Sequence, residues 1–125
     1  MSFDFKRPIA YLEDTDFNKS GKLINPNIPK DVPVVVMIQA SWCGYCQKAK
    51  PSFQEFANNN QDKVFCATIQ VDGSRPSEKA LGKRIKSIKK NFKGFPDYLL
   101  YKSGSLVNRN ISGREVSHLE DFSKI

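Results

Sequence analysis

The sequence contains one histidine, one tryptophan and three cysteines. An odd cysteine count excludes a closed framework of disulfides. The close pair Cys43 and Cys46 would need two more ligands for a tetrahedral metal site. Only Cys66 and His118 remain, unpaired and far apart, so no metal and no other cofactor is expected. Long apolar runs are absent too. Val34 to Ile38 is the longest candidate, much too short to cross a bilayer. The opening MSFDFKRPIA lacks the apolar centre of a secretory leader, and the closing EDFSKI is no retention address. The expectation is therefore a cytoplasmic protein with no membrane partner. Repeats and low-complexity blocks are missing, and 125 residues suffice for a single domain, 1–125, with a real core.

Positive charge is in excess, with 20 Lys and Arg against 13 Asp and Glu, a formal net charge of +7. Such a balance favours acidic or nucleic-acid partners. The densest basic stretch, Lys83 to Lys93, is interleaved with apolar residues at helical spacing, which reads as the solvent face of an amphipathic helix. It comes with no aromatic platform and no nucleic-acid motif, so a nucleic-acid-binding module is the competing reading and not the leading one.

Along the chain, Pro8 to Leu12 reads as a short strand closed by Asp14, Thr15 and Asp16. Residues 18–33 hold three Pro, three Asn and one Gly and read as loop. Val34 to Ile38 is apolar on both parities, as suits a strand covered on both faces. The period then changes. Cys46, Ala49, Phe53, Phe56 and Ala57 fall at helical spacing, with Pro51 inside that helix, where it should kink it. Lys63 to Val71 reads as a strand. Ser77 is the expected cap of a helix carrying Leu81, Ile85, Ile88 and Phe92. After Gly94-Phe95-Pro96 come two strands, DYLLYK and SLVNRNI, joined by a Ser103-Gly104 turn. Gly113 precedes a last amphipathic helix bearing Val116, Leu119 and Phe122. Strands alternating with helices predict an α/β fold with helices on both faces of a mixed sheet of about five strands.

SWCGYCQK, Ser41 to Lys48, straddles the switch from buried strand to helix. A thiol at a helix N-terminus faces unpaired backbone N–H groups and the positive end of the dipole. Both favour the thiolate, the species that attacks a disulfide. Cys43 is thus placed as the nucleophile. Cys46, one turn further on, is placed to attack a mixed disulfide formed by Cys43. Cys66 alternates with Val64 and Thr68 along a strand and reads as a buried, inert thiol, while His118 reads as a surface residue.

The chain resembles the thioredoxin family along nearly its whole length. Trp42-Cys43-Gly44-Tyr45-Cys46 matches the family's Trp-Cys-Gly-x-Cys motif, and Pro51 its helix proline. Phe95-Pro96 falls where the family has a cis-proline loop; Gly104 and Gly113 are also in register. The resemblance implies a thioredoxin-like fold and a thiol–disulfide oxidoreductase acting on protein dithiols and disulfides, recycled by a separate reductase or oxidase, with no cofactor and as a monomer. It implies a cis bond before Pro96, which would set the Phe95 backbone beside Cys43 to pair with an extended substrate chain. Trp42, Gly44, Tyr45, Phe95 and Pro96 would form the substrate surface. Without the resemblance, a trans bond at Pro96 would be the default.

Three positions depart from the family pattern. Six residues before its first cysteine the family has a buried acid thought to take the second cysteine's proton; here Met37 stands there. Its loss should stabilise the fold and slow release of mixed disulfides. Gly44-Tyr45 replaces the Gly-Pro of thioredoxins and the Gly-His of animal and plant disulfide isomerases, resembling instead the motif of bacterial disulfide isomerases. Reductase and oxidase or isomerase directions therefore both stay open. Phe95 is bulkier than the family's usual residue, and Asp97 follows the proline in place of Thr. A thioredoxin-fold adaptor that binds without turnover is the remaining alternative.

Overall fold

The structure, a computed structural model, describes residues 3–125; Met1 and Ser2, at the start of the expected domain, lie outside the described residues. Five strands, β1 (Ala10–Tyr11), β2 (Val34–Gln39), β3 (Phe65–Gln70), β4 (Asp97–Lys102) and β5 (Ser105–Leu106), form one sheet in the order β1-β3-β2-β4-β5. β1, β3 and β2 are parallel, β4 is antiparallel to β2, and β5 antiparallel to β4. The helices are α1 (Gly44–Asn59), α2 (Pro76–Gly82), α3 (Ile85–Ile88) and α4 (Val116–Phe122), with a 3₁₀ turn at Asp14–Asp16.

β2 is buried along its whole length because both of its faces are covered. Val35 and Met37 point to a core shared with Phe53 and Phe56 of α1 and Leu119 and Phe122 of α4. Val34, Val36 and Ile38 point to the opposite core, with Leu81 of α2 and Ile85 and Ile88 of α3. Full burial of each such side chain contributes roughly 1.5–3 kcal/mol, so this strand anchors both layers. The register sets Met37 between Thr68 on β3 and Tyr98 on β4.

The strands are shorter than their apolar patterns. The stretch 63–71 contracts to Phe65–Gln70, and 8–12 to Ala10–Tyr11, although Leu12 N–H still donates to the Thr68 carbonyl at 2.9 Å. SLVNRNI holds only two strand residues. Past Val107, whose N–H donates to Leu100, the Arg109 guanidinium draws the chain to the Phe122 and Lys124 carbonyls, where it caps the end of α4.

The helix expected from Ser77 to Phe92 is divided. Arg75, not Ser77, is the cap residue: it is extended, Pro76 opens the first turn, and the Glu78 carboxylate accepts the Arg75 N–H at 3.2 Å. Ser77 Oγ instead accepts from Asp14 N–H at 3.0 Å. At the last residue of α2, Gly82 passes so close to the chain leaving β3 that a β-carbon there would lie 2.8 Å from the Val71 carbonyl oxygen. At Arg84 the chain turns, and the guanidinium bonds Asp14 at 2.8 Å and the Asn18 carbonyl. The basic run is accordingly not one solvent face. Arg84 and Lys89 are folded inward onto partners, and Lys83, Lys86, Lys90 and Lys93 face water. His118 is half-buried, its Nδ1 accepting the Glu115 N–H at 3.2 Å in the cap of α4.

Candidate functional site

β2 ends at Gln39, Ala40 to Trp42 turn the chain, and α1 begins at Gly44 with Cys43 as its N-cap. The Cys43 side chain accepts the Cys46 N–H at 3.1 Å, so one orphan donor of the first turn is spent on this sulfur. That bond, with the helix dipole, lowers the energy of a negative charge on Cys43 Sγ. Cys43 and Cys46 are joined as a disulfide, their Cα atoms 5.2 Å apart. Cys46 is wholly inaccessible and Cys43 is 6% exposed, so Cys43 is the sulfur that solvent and partners can reach.

Trp42 and Tyr45 flank the pair and are the most exposed aromatic side chains, at 66% and 67%. The Trp42 ring meets the Phe95 ring edge-on at 5.3 Å, and Phe95 meets Phe92 at 5.1 Å. The Phe95–Pro96 peptide bond is cis. The ladder between β2 and β4 ends at Asp97, opposite Ile38, which leaves Phe95 outside it. At Gly44, between the two cysteines, a β-carbon would meet nothing within 4 Å, so the surface is open there. Of the residues singled out in the sequence, Trp42 and Phe95 meet directly, Gly44 and Tyr45 are exposed, and Cys46 and Pro96 are buried.

Several neighbours were invisible to sequence reasoning. The Arg114 guanidinium lies 5.6 Å over the Tyr45 ring. Asp97 Oδ1 accepts from Lys89 Nζ at 2.7 Å and from the Tyr98 N–H at 2.8 Å, which fixes the residue after the cis-proline. In the sequence Asp97 stands out only as a departure from the family pattern, and nothing in spacing links it to Lys89. On the other side of Trp42, the Asp72 carboxylate accepts from the Ser41 N–H at 3.0 Å and from the Ser41 hydroxyl. Burial alone would raise this carboxyl; the Ser41 and Gln70 bonds hold it below the ordinary value.

Beneath the pair the surroundings are apolar. Met37 is inaccessible, and its register neighbour Tyr98 is buried with its hydroxyl unpartnered; burial pushes that phenol far up. Lys50, also inaccessible on α1, donates to the Phe3 carbonyl at 3.0 Å and lies 5.7 Å over the Phe5 ring. Burial lowers its pKa, and Asp4 and Asp72 partly counter this. Cys66 lies in the same core at 2% exposure, and burial pushes its thiol up to about 12, so it is an inert thiol. Among the described residues no group of His, Cys, Asp and Glu is arranged to hold a metal ion, and no helix is long and apolar enough to cross a membrane.

A disulfide-forming cysteine pair at a helix N-terminus, at the sheet end where β2 stops and β4 starts after a cis-proline, defines a thiol–disulfide oxidoreductase. The sequence model of the family described as Thioredoxin matches residues 9–124. A thioredoxin-like protein, 453L of Invertebrate iridescent virus 6, is 38% identical over 114 residues, 82% of each chain. Thioredoxin Asp f 28 of Aspergillus fumigatus is 31% identical over 113 residues, 83% of this chain and 94% of that one. The Trx4 domain of ERdj5 has the same fold at 21% identity, with a TM-score of 0.62 over 93% of this chain and 92% of its own. Human ERp44 in its zinc-bound form, also 21% identical, superposes with a TM-score of 0.65 over 91% of this chain and 30% of its own. The chain belongs to the thioredoxin family, whose members act on protein disulfides.

Proposed function

We propose that Cys43 is the attacking sulfur and Cys46 the resolving one in disulfide exchange with protein substrates, in the reducing or the oxidising direction. The observation that carries this is the pairing of accessibility with thiolate stabilisation: Cys43 is the reachable sulfur and accepts the Cys46 N–H. In the reducing direction the Cys43 thiolate attacks one sulfur of a substrate disulfide, forming a mixed disulfide and expelling a substrate thiolate, which takes up a proton. Cys46 then loses its proton and attacks Cys43 Sγ, closing the intramolecular disulfide and expelling the second substrate thiolate. Two electrons and two protons pass to the substrate.

In this reading Trp42, Gly44, Tyr45, Phe95 and Pro96 form the surface along which an extended substrate segment lies, the Phe95 backbone offering it hydrogen bonds. With Met37 under the pair, no buried carboxylate takes the Cys46 proton, and release of the mixed disulfide is slow. Residues 1–125 act as one domain and as a monomer, in the cytoplasm, and a separate reductase or oxidase recycles the pair.

An oxidising or isomerase-like direction is favoured by one observation, the Arg114 cation held over Tyr45. A positive charge beside Cys43 would stabilise the thiolate and thereby the reduced pair, making the disulfide a stronger oxidant.

Two experiments test these readings. Cys46→Ser should accumulate mixed disulfides through Cys43 when offered oxidised protein substrates; an adaptor without turnover would accumulate none. Equilibration of the Cys43–Cys46 pair against glutathione then sets the direction. A potential near about −270 mV supports the reducing direction, and one at or above about −180 mV the oxidising or isomerase-like one.

A further inference from the structure

Along the cis-proline loop runs an open groove of about 450 Å³, bordered by Phe95, Pro96, Lys93, Asn110, Ile111 and Arg114, and joined to the reactive motif by Phe95 against Trp42 and Arg114 over Tyr45. Its charges are unequal. Asp97 is the one carboxylate on its border, and the Lys89 ammonium 2.7 Å away neutralises it. Lys93 and Arg114 have no carboxylate within 4.0 Å among the described residues. Glu115, next in sequence to Arg114, makes no ion pair with it and caps α4 through its backbone N–H, which His118 Nδ1 accepts. Arg114 is held at the edge of the reactive motif by its place over Tyr45. The carboxylates nearest the other flank, Asp72 with Asp4 and Glu78, line a separate cleft, and Asp72 is bound to Ser41. The proline side of the site therefore carries two uncompensated cations, and the Ser41 side carries the acids.

We propose that the protein segment this groove takes is an extended chain bearing carboxylates beside its reacting cysteine. The inference rests on the disulfide-exchange reading and adds the substrate's charge to it. A segment laid along Phe95 with its sulfur over Cys43 brings its neighbouring side chains to Lys93 and Arg114. The planar guanidinium of Arg114 offers a carboxylate two parallel donors, and Lys93 a point charge. Both are exposed, so their main effect is on encounter: a local positive field raises the association rate of an acidic segment and opposes a basic one. A nucleic acid would meet the same charges, but the groove adjoins Trp42 and Tyr45 of a motif whose chemistry requires a cysteine or disulfide in the occupant.

The test uses the reduced protein and two disulfide-linked peptides, identical except for Glu or Lys on either side of the cysteine. Single-turnover reduction of the Glu peptide should be roughly tenfold faster at low ionic strength. The gap should narrow steeply in about 0.5 M salt, where screening acts within a few ångströms. In Lys93→Gln/Arg114→Gln the two rates should converge. Equal rates in the unsubstituted protein, or a preference that survives the double substitution, would overturn the inference while leaving disulfide exchange intact. Failure of both peptides to react would overturn the exchange reading as well. Suppression of Glu-peptide reduction by a single-stranded oligonucleotide at concentrations where a cysteine-free Glu peptide has no effect would assign the charges to nucleic acid instead.

Discussion

The Lys89 ammonium and the Asp97 carboxylate, from the end of α3 and the first residue of β4, meet at 2.7 Å with side chains only 10% and 19% accessible. The same carboxylate oxygen takes the Tyr98 N–H, so a single side chain fixes the strand start directly after the cis-proline. Removing it by Asp97→Ala leaves Lys89 with only the Tyr98 carbonyl at 3.3 Å. The expected loss is about 2–3 kcal/mol of unfolding free energy in urea. Lys89→Met/Asp97→Ala should lose less than the sum of the single substitutions. A loss below about 0.5 kcal/mol for Asp97→Ala would put the pair with ordinary exposed ion pairs.

Met37→Asp places a carboxyl in a fully inaccessible position between Thr68 and Tyr98. Stability at neutral pH should fall by at least about 2 kcal/mol. If Met37 is what slows mixed-disulfide release, the same variant should release substrate faster. Stopped-flow release kinetics decide it, and an unaltered rate would remove Met37 from the account of slow exchange.

The Cys66 thiol, raised by burial from 9.0 to about 12, makes a definite contribution to stability at alkaline pH. The folded state holds this proton more tightly than the unfolded state. The stabilisation is therefore complete below about pH 9 and is lost as pH rises towards 12, by at most about 1.4 kcal/mol per pH unit. Tyr98 and Tyr101 are raised likewise and act in the upper part of the window. Comparing Cys66→Ala with the unsubstituted protein isolates the thiol. Urea midpoints measured from pH 8 to 11 should fall less steeply in the variant. Parallel curves would mean that the thiol is not sheltered as its burial indicates.

Gly82→Ala sets helix preference against space. Alanine is favoured over glycine in a helix by up to about 1 kcal/mol. The new methyl, however, would lie 2.8 Å from the Val71 carbonyl oxygen and 2.9 Å from its α-carbon, and these backbone atoms of a packed segment cannot swing aside. Overpacking should prevail, with a net loss of about 1–2 kcal/mol and a lower melting temperature by calorimetry. A variant as stable as the parent would show that α2 can slide away from the sheet.

The fold was most legible where one short segment decides it. Val34 to Ile38 is apolar on both parities, and only a doubly covered strand has use for that. The sequence from Gln39 to Phe53 shows a strand end, a cap and a helical period in quick succession, and the reactive pair sits at that junction. Legibility failed where a distant partner decides the local structure. Leu81, Ile85 and Ile88 keep one helical stripe, yet Gly82 against Val71 and Arg84 against Asp14 divide the helix beneath it. Val107 to Ile111 alternates like a strand, but Arg109 serves the end of α4. Arg114 and Lys89 reach the site by the folding of segments that carry no motif of their own.

Trp42 is the sole tryptophan in the chain, stands mostly in water, touches Phe95, and is bonded directly to Cys43. The indole emission of this protein therefore comes from one fluorophore at the reacting centre. A neighbouring disulfide quenches excited indole, so brightness should follow the redox state of the pair, while emission colour should shift to the blue when a docked chain displaces water from the ring. The molecule thus carries its own optical probe, and both electron transfer and substrate arrival can be followed in real time without a label.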